Sequence, residues 1–411
     1  MQDKRPEVLA PAGDMERLDA ALRFGADAVY LGGRLHNMRA STKSFDAQEL
    51  SEACQKAHTQ GVKVYFTCNT LLRNEEVPGL SGYLGEAADC GVDAFIVSDI
   101  GVLMQARKTA PAVAVHISTQ AGVTNYLTAR ELFELGATRV VLARELLLEE
   151  IRGIRENTPP ELEMECFVHG AICVSFSGRC LLSQYLTGRD ANRGECAQPC
   201  RWSYYLSEEK RPGELFPICE EEGASYILNA RDLCLIGHLD KLYAAGIRSF
   251  KIEGRAKSAY YTAVVTGAYR RAVDLLMRDP EHYRCPPELL EEVRRVSHRA
   301  YCEGFLFGPP EPGQCYRDGG YLRPWEVMAV VEGYDAERGR LLCIQRNKFS
   351  VGDVLELLTP DGELLLLTVS ELYDAQGEAV ISAPHPTMRC CIPYAHPVPQ
   401  GSILRGRVKQ K

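Results

Sequence analysis

Three observations predict an α/β fold for this 411-residue chain: a (β/α) TIM-like barrel, regular or distorted, followed by a small antiparallel β-barrel. Through residues 1–257 a helical stretch repeatedly ends at a glycine and a short β-rich run follows at once, as the alternating units of a parallel barrel require. No Gly-x-Gly-x-x-Gly follows the first such run, which weighs against a doubly wound dinucleotide fold. Beyond residue 325 the pattern changes to short apolar runs cut by turn signals.

The repeat copies begin at Gly25, Gly61, Gly91, Gly136 and Gly246, and each leads into a run such as Ala28-Val29-Tyr30-Leu31 or Ala94-Phe95-Ile96-Val97. The glycine suits the left-handed residue that ends a helix, and the continuous apolar run suits a strand covered on both faces. Further strands are expected at Val8 to Ala10, Val113 to Ile117, Glu163 to Val168 and Ser225 to Leu228, with helices such as Met15 to Phe24 and Thr128 to Leu135. Residues 258–325 read as a helical connector, with helices to about Met277 and from Pro287 to about His298, ending in a Gly/Pro-rich linker. Residues 326–411 read as the β-barrel domain, with strands at Val327 to Val331, Leu341 to Gln345, Val354 to Leu358, Leu364 to Val369 and Ala379 to Ser382. Turn signals such as Pro360-Asp361-Gly362 separate them.

Lys plus Arg number 47 against 55 Asp plus Glu, a formal charge of -8, so bulk attraction to nucleic acid or anionic lipid is not expected. No apolar run approaches the roughly 18 residues of a membrane span. The opening residues lack the apolar stretch of a secretory leader, so a cytoplasmic location is expected. Sixteen cysteines are then many for such a chain, and metal ligands or reactive thiols are expected among them rather than a disulfide framework.

Seven of the sixteen (166, 173, 180, 196, 200, 219 and 234) fall within one segment, 165–234. Six residues separate Cys173 from Cys180 and three separate Cys196 from Cys200, so the paired knuckles of a zinc finger are missing. Widely spaced thiolates are compatible with an iron–sulfur cluster, and equally with ordinary buried cysteines. The run Glu165-Cys166-Phe167-Val168-His169-Gly170-Ala171-Ile172-Cys173, continued through Cys180, resembles the signature of the collagenase-like peptidase family U-32. Asn192-Arg193-Gly194-Glu195-Cys196, Asn229-Ala230-Arg231-Asp232-Leu233-Cys234, Lys251-Ile252-Glu253-Gly254-Arg255 and the opening Leu9-Ala10-Pro11-Ala12-Gly13-Asp14 are similar to family motifs as well. The resemblance reaches from about residue 7 into the C-terminal part, where Gln345-Arg346-Asn347-Lys348-Phe349 recurs.

Despite the family's name, members of this length promote 5-hydroxyuridine formation at the tRNA wobble position with prephenate, and relatives hydroxylate ribosomal RNA or ubiquinone. Some hold a [4Fe–4S] cluster. Carried over by motif, its ligands here are Cys173, Cys180, Cys196 and Cys234, with Cys200 a rival for one place. The implied partners are tRNA and the small dicarboxylate prephenate. The alternatives are a U-32 peptidase and a non-catalytic RNA-binding accessory protein.

In a barrel enzyme chemistry belongs at the C-terminal strand ends. Glu165, His169 and Glu253 are the expected acid–base groups, or else Glu165 and His169 orient the cysteine loop and Glu253 pairs with Arg255. Arg255 and Lys257 suit a carboxylate or phosphate, and Gln120 falls at the same end of the barrel. A peptidase needs a nucleophile or a metal-held water, yet neither His-Glu-x-x-His nor Gly-x-Ser-x-Gly occurs, which leaves only a Cys173–His169 pair. Arg179, Arg189, Arg193 and Arg201, interleaved with Tyr185, Trp202, Tyr204 and Tyr205, form a candidate RNA surface or a solvated loop; Arg346 and Lys348 are a second.

Overall fold

A computed structural model describes residues 5–38, 44–173, 175, 180–202, 205–207, 215–217, 231–308 and 321–408. Strands β1 (Glu7–Pro11), β2 (Ala28–Gly32), β3 (Lys63–Cys68), β4 (Ala94–Val97), β5 (Ala114–Ile117), β6 (Arg139–Val141) and β7 (Glu163–Ala171) pair side by side in chain order, all parallel. A hairpin of β8 (Tyr205–Ser207) and β9 (Leu215–Pro217) follows, then the short β10 (Asp232–Cys234), with which β12 (Tyr301–Cys302) later pairs in parallel. β11 (Ile247–Ile252) pairs parallel with both β7 and β1, which closes an eight-stranded parallel barrel. The barrel class read from the glycine repeat is therefore the observed one.

The five repeat glycines all have positive φ, from 71° to 101°. A side chain there would be strained, and at Gly25 a Cβ would also lie 2.7 Å from Arg270 Cγ. Alternation along the strands sorts the core into two layers. Val8, Ala10, Val29, Leu31, Val64 and Phe66 join the large cluster packed with the helices, while Leu9, Tyr30, Tyr65 and Ile96 form a separate cluster inside the ring.

The seventh and eighth barrel strands are separated by the whole cysteine segment. That segment leaves from the C-terminal end of β7, and β10 returns antiparallel to that end, Leu233 opposite Gly170. The expected strand Ser225 to Leu228 lies outside the described residues. The helix Ala259–Arg278 packs along the helix Met15–Arg23, and its Val264, Ala268, Val273 and Leu276 share the barrel's core. The helix from Pro287 stops at Val293, and His298 instead forms a bridge with Leu322. Among the described residues no helix is long and apolar enough to cross a membrane.

The C-terminal part is antiparallel. β13 (Trp325–Asp335), β14 (Arg340–Gln345), β16 (Val354–Leu358), β17 (Leu364–Thr368), β18 (Tyr373–Asp374), β20 (Arg389–Pro393) and β21 (Ile403–Arg407) form one sheet in the order 17-16-21-13-14-20-18. The two-stranded pair β15 (Phe349–Ser350) and β19 (Ser382–Ala383) completes it around a core that includes Leu341, Cys343, Leu357 and Leu404. The strands β20 and β21 were not apparent in the sequence, where prolines and polar residues break their apolar runs. β21 also docks this part onto the barrel: the fully buried Arg405 donates to both oxygens of Glu292 at 2.6 and 2.8 Å.

Candidate functional site

A cavity of about 1110 Å³ opens at the C-terminal end of the barrel and runs under the C-terminal sheet. It lies where an enzyme of this architecture carries its chemistry. Gln120, Arg144, Glu253 and Lys257 line it, together with Cys173, Cys180, Cys196 and Cys200.

Each polar group is held by its strand end. Gln120 Oε1 accepts from Asn69 Nδ2 at 3.0 Å and lies 3.1 Å from Ser118 Oγ and 3.2 Å from Ser98 Oγ. With its oxygen so engaged, the Nε2 end is what remains to bind a ligand. Arg144 Nη1 donates to the carbonyl of Ala171 at 2.8 Å and its guanidinium stacks 4.5 Å from the centroid of Phe167. Glu253 is fixed through its backbone, its N–H donating to His169 O and its carbonyl accepting from Tyr261 Oη, both at 2.9 Å. Lys257 Nζ sits 4.2 Å from the Tyr321 ring and donates to Ser297 O at 3.3 Å.

Arg255 is placed behind these groups. It is buried, and it donates from Nη1 to Thr67 Oγ1 and from Nη2 to Asn37 Oδ1, both at 2.9 Å. It braces the segment that follows β2 against β3 itself, and it does not line the cavity. Asp99, at the end of β4, caps a helix by accepting from Gly101 N at 2.7 Å.

Two of the three expected acid–base groups lie away from the cavity. Glu165 is fully buried inside the barrel, bonded to Lys251 Nζ at 2.8 Å and to Arg139 Nη1 and Ser249 Oγ at 3.0 Å. Burial alone would raise its pKa, but Lys251 and Arg139 outweigh it and hold the carboxyl below its ordinary value. Arg139 extends the network to Glu7 at 2.7 Å, at the barrel's N-terminal end. His169 is buried among Tyr261, Tyr269 and Tyr301, with Nε2 3.2 Å from Tyr301 Oη. Burial pushes its imidazole down to about 3. Glu165 and His169 lie four residues apart on β7, so plain alternation would give them one face; the register shift against β11 between Phe167 and His169 turns His169 out of the barrel toward Tyr261 and Tyr269. His169 and Cys173 consequently do not share the cavity, so the Cys173–His169 nucleophile pair finds no support in the geometry.

The thiols reach the cavity because their segment starts at the end of β7. Cys173 and Cys196 are exposed, and Cys180 and Cys200 are half-buried. The Cys196 turn is shaped by Gly194 at φ 84° and Gln198 at φ 57°, and Gln198 N–H points at Cys196 Sγ, 3.3 Å away. Ala197 N–H is pinned to Ser183 Oγ at 3.0 Å. Cys234 instead sits on β10, outside the cavity lining, and burial pushes its thiol up to about 12. Among the described residues no three His, Cys, Asp or Glu side chains stand together as a finished metal site. In donor chemistry the wall fits an iron–sulfur group, with four thiols and a backbone N–H aimed at sulfur.

Sequence reasoning did not single out Glu76, whose carboxylate takes Arg193 Nη2 at 2.5 Å and Nη1 at 2.9 Å and so fastens the cysteine segment to the barrel rim. Arg346 is paired with Glu16 at 2.7 Å on the cavity's far side. Arg179 and Tyr204 of the expected RNA surface lie outside the described residues, and the side chains of Arg201 and Tyr205 do as well.

Comparison with known proteins gives the same extent as the two folded parts. The description "Peptidase family U32" matches residues 13–315, and "Peptidase family U32 C-terminal domain" matches residues 323–405. The chain is 37% identical over 384 residues to tRNA hydroxylation protein P1 of Bacillus subtilis, covering 93% of this chain and 90% of that protein. It is 36% identical over 420 residues to tRNA hydroxylation protein P of Escherichia coli, covering 92% of each. It is also 33% identical over 383 residues to a collagenase of Porphyromonas gingivalis, covering 90% of this chain and 91% of that protein. With a mouth lined by thiols, a fixed carboxylate and cations, and matches that run through both parts, the chain belongs to peptidase family U32.

Proposed function

We propose that this chain is an RNA-modifying hydroxylase whose substrate is tRNA. The observation that carries the reading is the single cavity at the barrel mouth that holds four thiols, Glu253, Gln120 and Lys257. It is supported by likeness over nine-tenths of the chain to proteins named for tRNA hydroxylation. The finer proposal is prephenate-dependent 5-hydroxylation of the wobble uridine with a [4Fe–4S] cluster.

Cys173, Cys180 and Cys196 would hold the cluster with a fourth thiol from Cys234 or Cys200. Cys200 lines the same cavity, while Cys234 stands behind it on β10. When bound, such a group supplies electron transfer or an open iron position. The chain's own residues do the rest. Lys257 Nζ and the Nε2 of Gln120 take the carboxylates of the dicarboxylate co-substrate from separate points of the wall, and Arg255 keeps the mouth in place behind them. Glu253 holds or moves a proton at its carboxylate beside the bound base.

Mass spectrometry of tRNA nucleosides from a deletion strain, complemented with parent or variant, tests the reading. The expected result is loss of 5-hydroxyuridine derivatives, restored by the parent and not by Glu253→Gln. Unchanged nucleosides in a strain without a paralogue would sink it. Iron content after anaerobic purification of Cys200→Ala and Cys234→Ala identifies the fourth ligand, and parent-like iron in Cys173→Ala would remove the cluster from the proposal. The collagenase relative favours a second reading: cleavage of gelatin by pure protein, abolished in Cys173→Ala, is what a peptidase predicts.

A further inference from the structure

Within residues 5–308, the exposed large apolar side chains among the described residues, Phe307 after β12 apart, follow the C-terminal end of a barrel strand. Leu71 follows β3, Ile100 follows β4, Leu127 follows β5, Leu147 follows β6, and Tyr185 and Trp202 follow β7. Those in helices sit at the first turn, as Ile100 and Leu127 do, or in the short helix Leu182–Thr187, and the opposite end of the barrel carries none among those residues. Single exposed apolar residues need no explanation, but their confinement to one rim does. The rim surrounds the mouth of the thiol-lined cavity on all sides except that of β11 and β1. There the C-terminal sheet stands over the helix Met15–Arg23, with Arg346 bonded to Glu16.

Among the described residues, three arginines on this rim are paired within the protein. Arg34 pairs with Asp46 at 3.2 Å, Arg152 with Glu149 at 2.6 Å and Arg193 with Glu76 at 2.5 Å. These three offer less to a ligand that binds mainly through phosphates. A ligand with flat, unpaired faces finds apolar contacts and aromatic platforms such as Tyr185, which is 80% exposed. We propose that the rim binds a single-stranded RNA loop through its splayed bases, with phosphate contacts secondary, and that one nucleotide thereby enters the cavity. This rests on the RNA-hydroxylase reading. The rim is concentric with the mouth, so a protein seated on it would cover the cavity, whereas a loop delivers its base into it.

Fluorescence anisotropy with unmodified tRNA, a matching stem–loop and a fully paired duplex tests this on the full-length chain. Tyr185→Ala combined with Ile100→Ser is expected to raise Kd for the stem–loop at least about tenfold. Duplex binding and the shallow salt dependence should match the parent. Both positions lie on the surface, and an unchanged melting temperature confirms that the variant is folded. Parent-like affinity in this variant overturns the proposal. So does a steep salt slope that arginine replacements flatten, which marks phosphate binding, or a parent dimer that the variant abolishes and RNA does not disperse, which marks a second copy as the occupant. Failure of the underlying reading looks different: the parent itself binds none of the three RNAs, and tRNA from the deletion strain is unaltered.

Discussion

Glu76 and Arg193 stand 117 residues apart in sequence, yet their bidentate pair decides where the Cys196 turn sits. Hydrogen bonds from Arg193 hold the Glu76 carboxyl at about 2. That is below the value of about 4.3 expected in an unfolded chain. The pair's contribution is therefore complete above about pH 4.3 and is lost as pH falls toward 2. Glu76→Gln should lower stability by about 1 kcal/mol at pH 7, at the upper end for a partly exposed pair. In thermal melts the gap between parent and variant should narrow below pH 4. A gap that stays constant to pH 3 would show that the ion pair is not its source. His169 acts in the same pH direction for a different reason. Burial keeps its imidazole neutral, so stability falls as pH drops below about 6.5 and the unfolded chain alone takes the proton.

At the scale of elements, the seam between β7 and β11 sets the floor of the site. β7 runs three residues beyond its expected end at Val168, because Gly170 and Ala171 pair with β10. Gly170 has φ 106°, and a Cβ there would lie 2.5 Å from the carbonyl oxygen of Glu253 and 2.9 Å from its Cβ. Gly170→Ala should cost about 1–3 kcal/mol and displace Glu253, lowering both melting temperature and the rate of tRNA modification. Gly188 supplies the control. It also has positive φ, 71°, but nothing lies within 4 Å of its added Cβ. Gly188→Ala should cost about 1 kcal/mol and leave Glu253 in place. Equal losses in the two variants would rule out the steric account.

For the whole molecule, the position of the C-terminal sheet depends on one buried cation. Arg405 is fully buried and meets Glu292 from the barrel side and Glu356 from its own sheet, the latter at 3.0 Å. Removing one partner leaves a charge in a dry interface. Glu292→Ala should therefore destabilise by about 3–5 kcal/mol, and calorimetry should show the two parts melting separately. A single transition at the parent temperature would mean that the sheet is held by its other contacts, such as Arg346 with Glu16 and Arg295 with Glu356.

The barrel was legible from local patterns. A glycine that must leave a helix and an apolar run that must be covered on both faces recur at each unit, and these are short-range requirements that one sequence states directly. The same holds for the cysteine segment as the source of the site, since it follows a barrel strand and so emerges at the mouth. Which side chains face the cavity was not legible. Glu165, His169 and Glu253 lie near one another on β7 and at the end of β11, yet only Glu253 lines the mouth, because the strand register sends Glu165 into the barrel and its shift between Phe167 and His169 sends His169 behind it. The sequence alone determined the class of fold, the cysteine segment and the family. Only the tertiary structure decided that Cys200 shares the cavity while Cys234 stands behind it, and that Arg255 braces the site rather than lining it. Those outcomes depend on contacts between residues far apart in the chain, and local spacing carries no information about them.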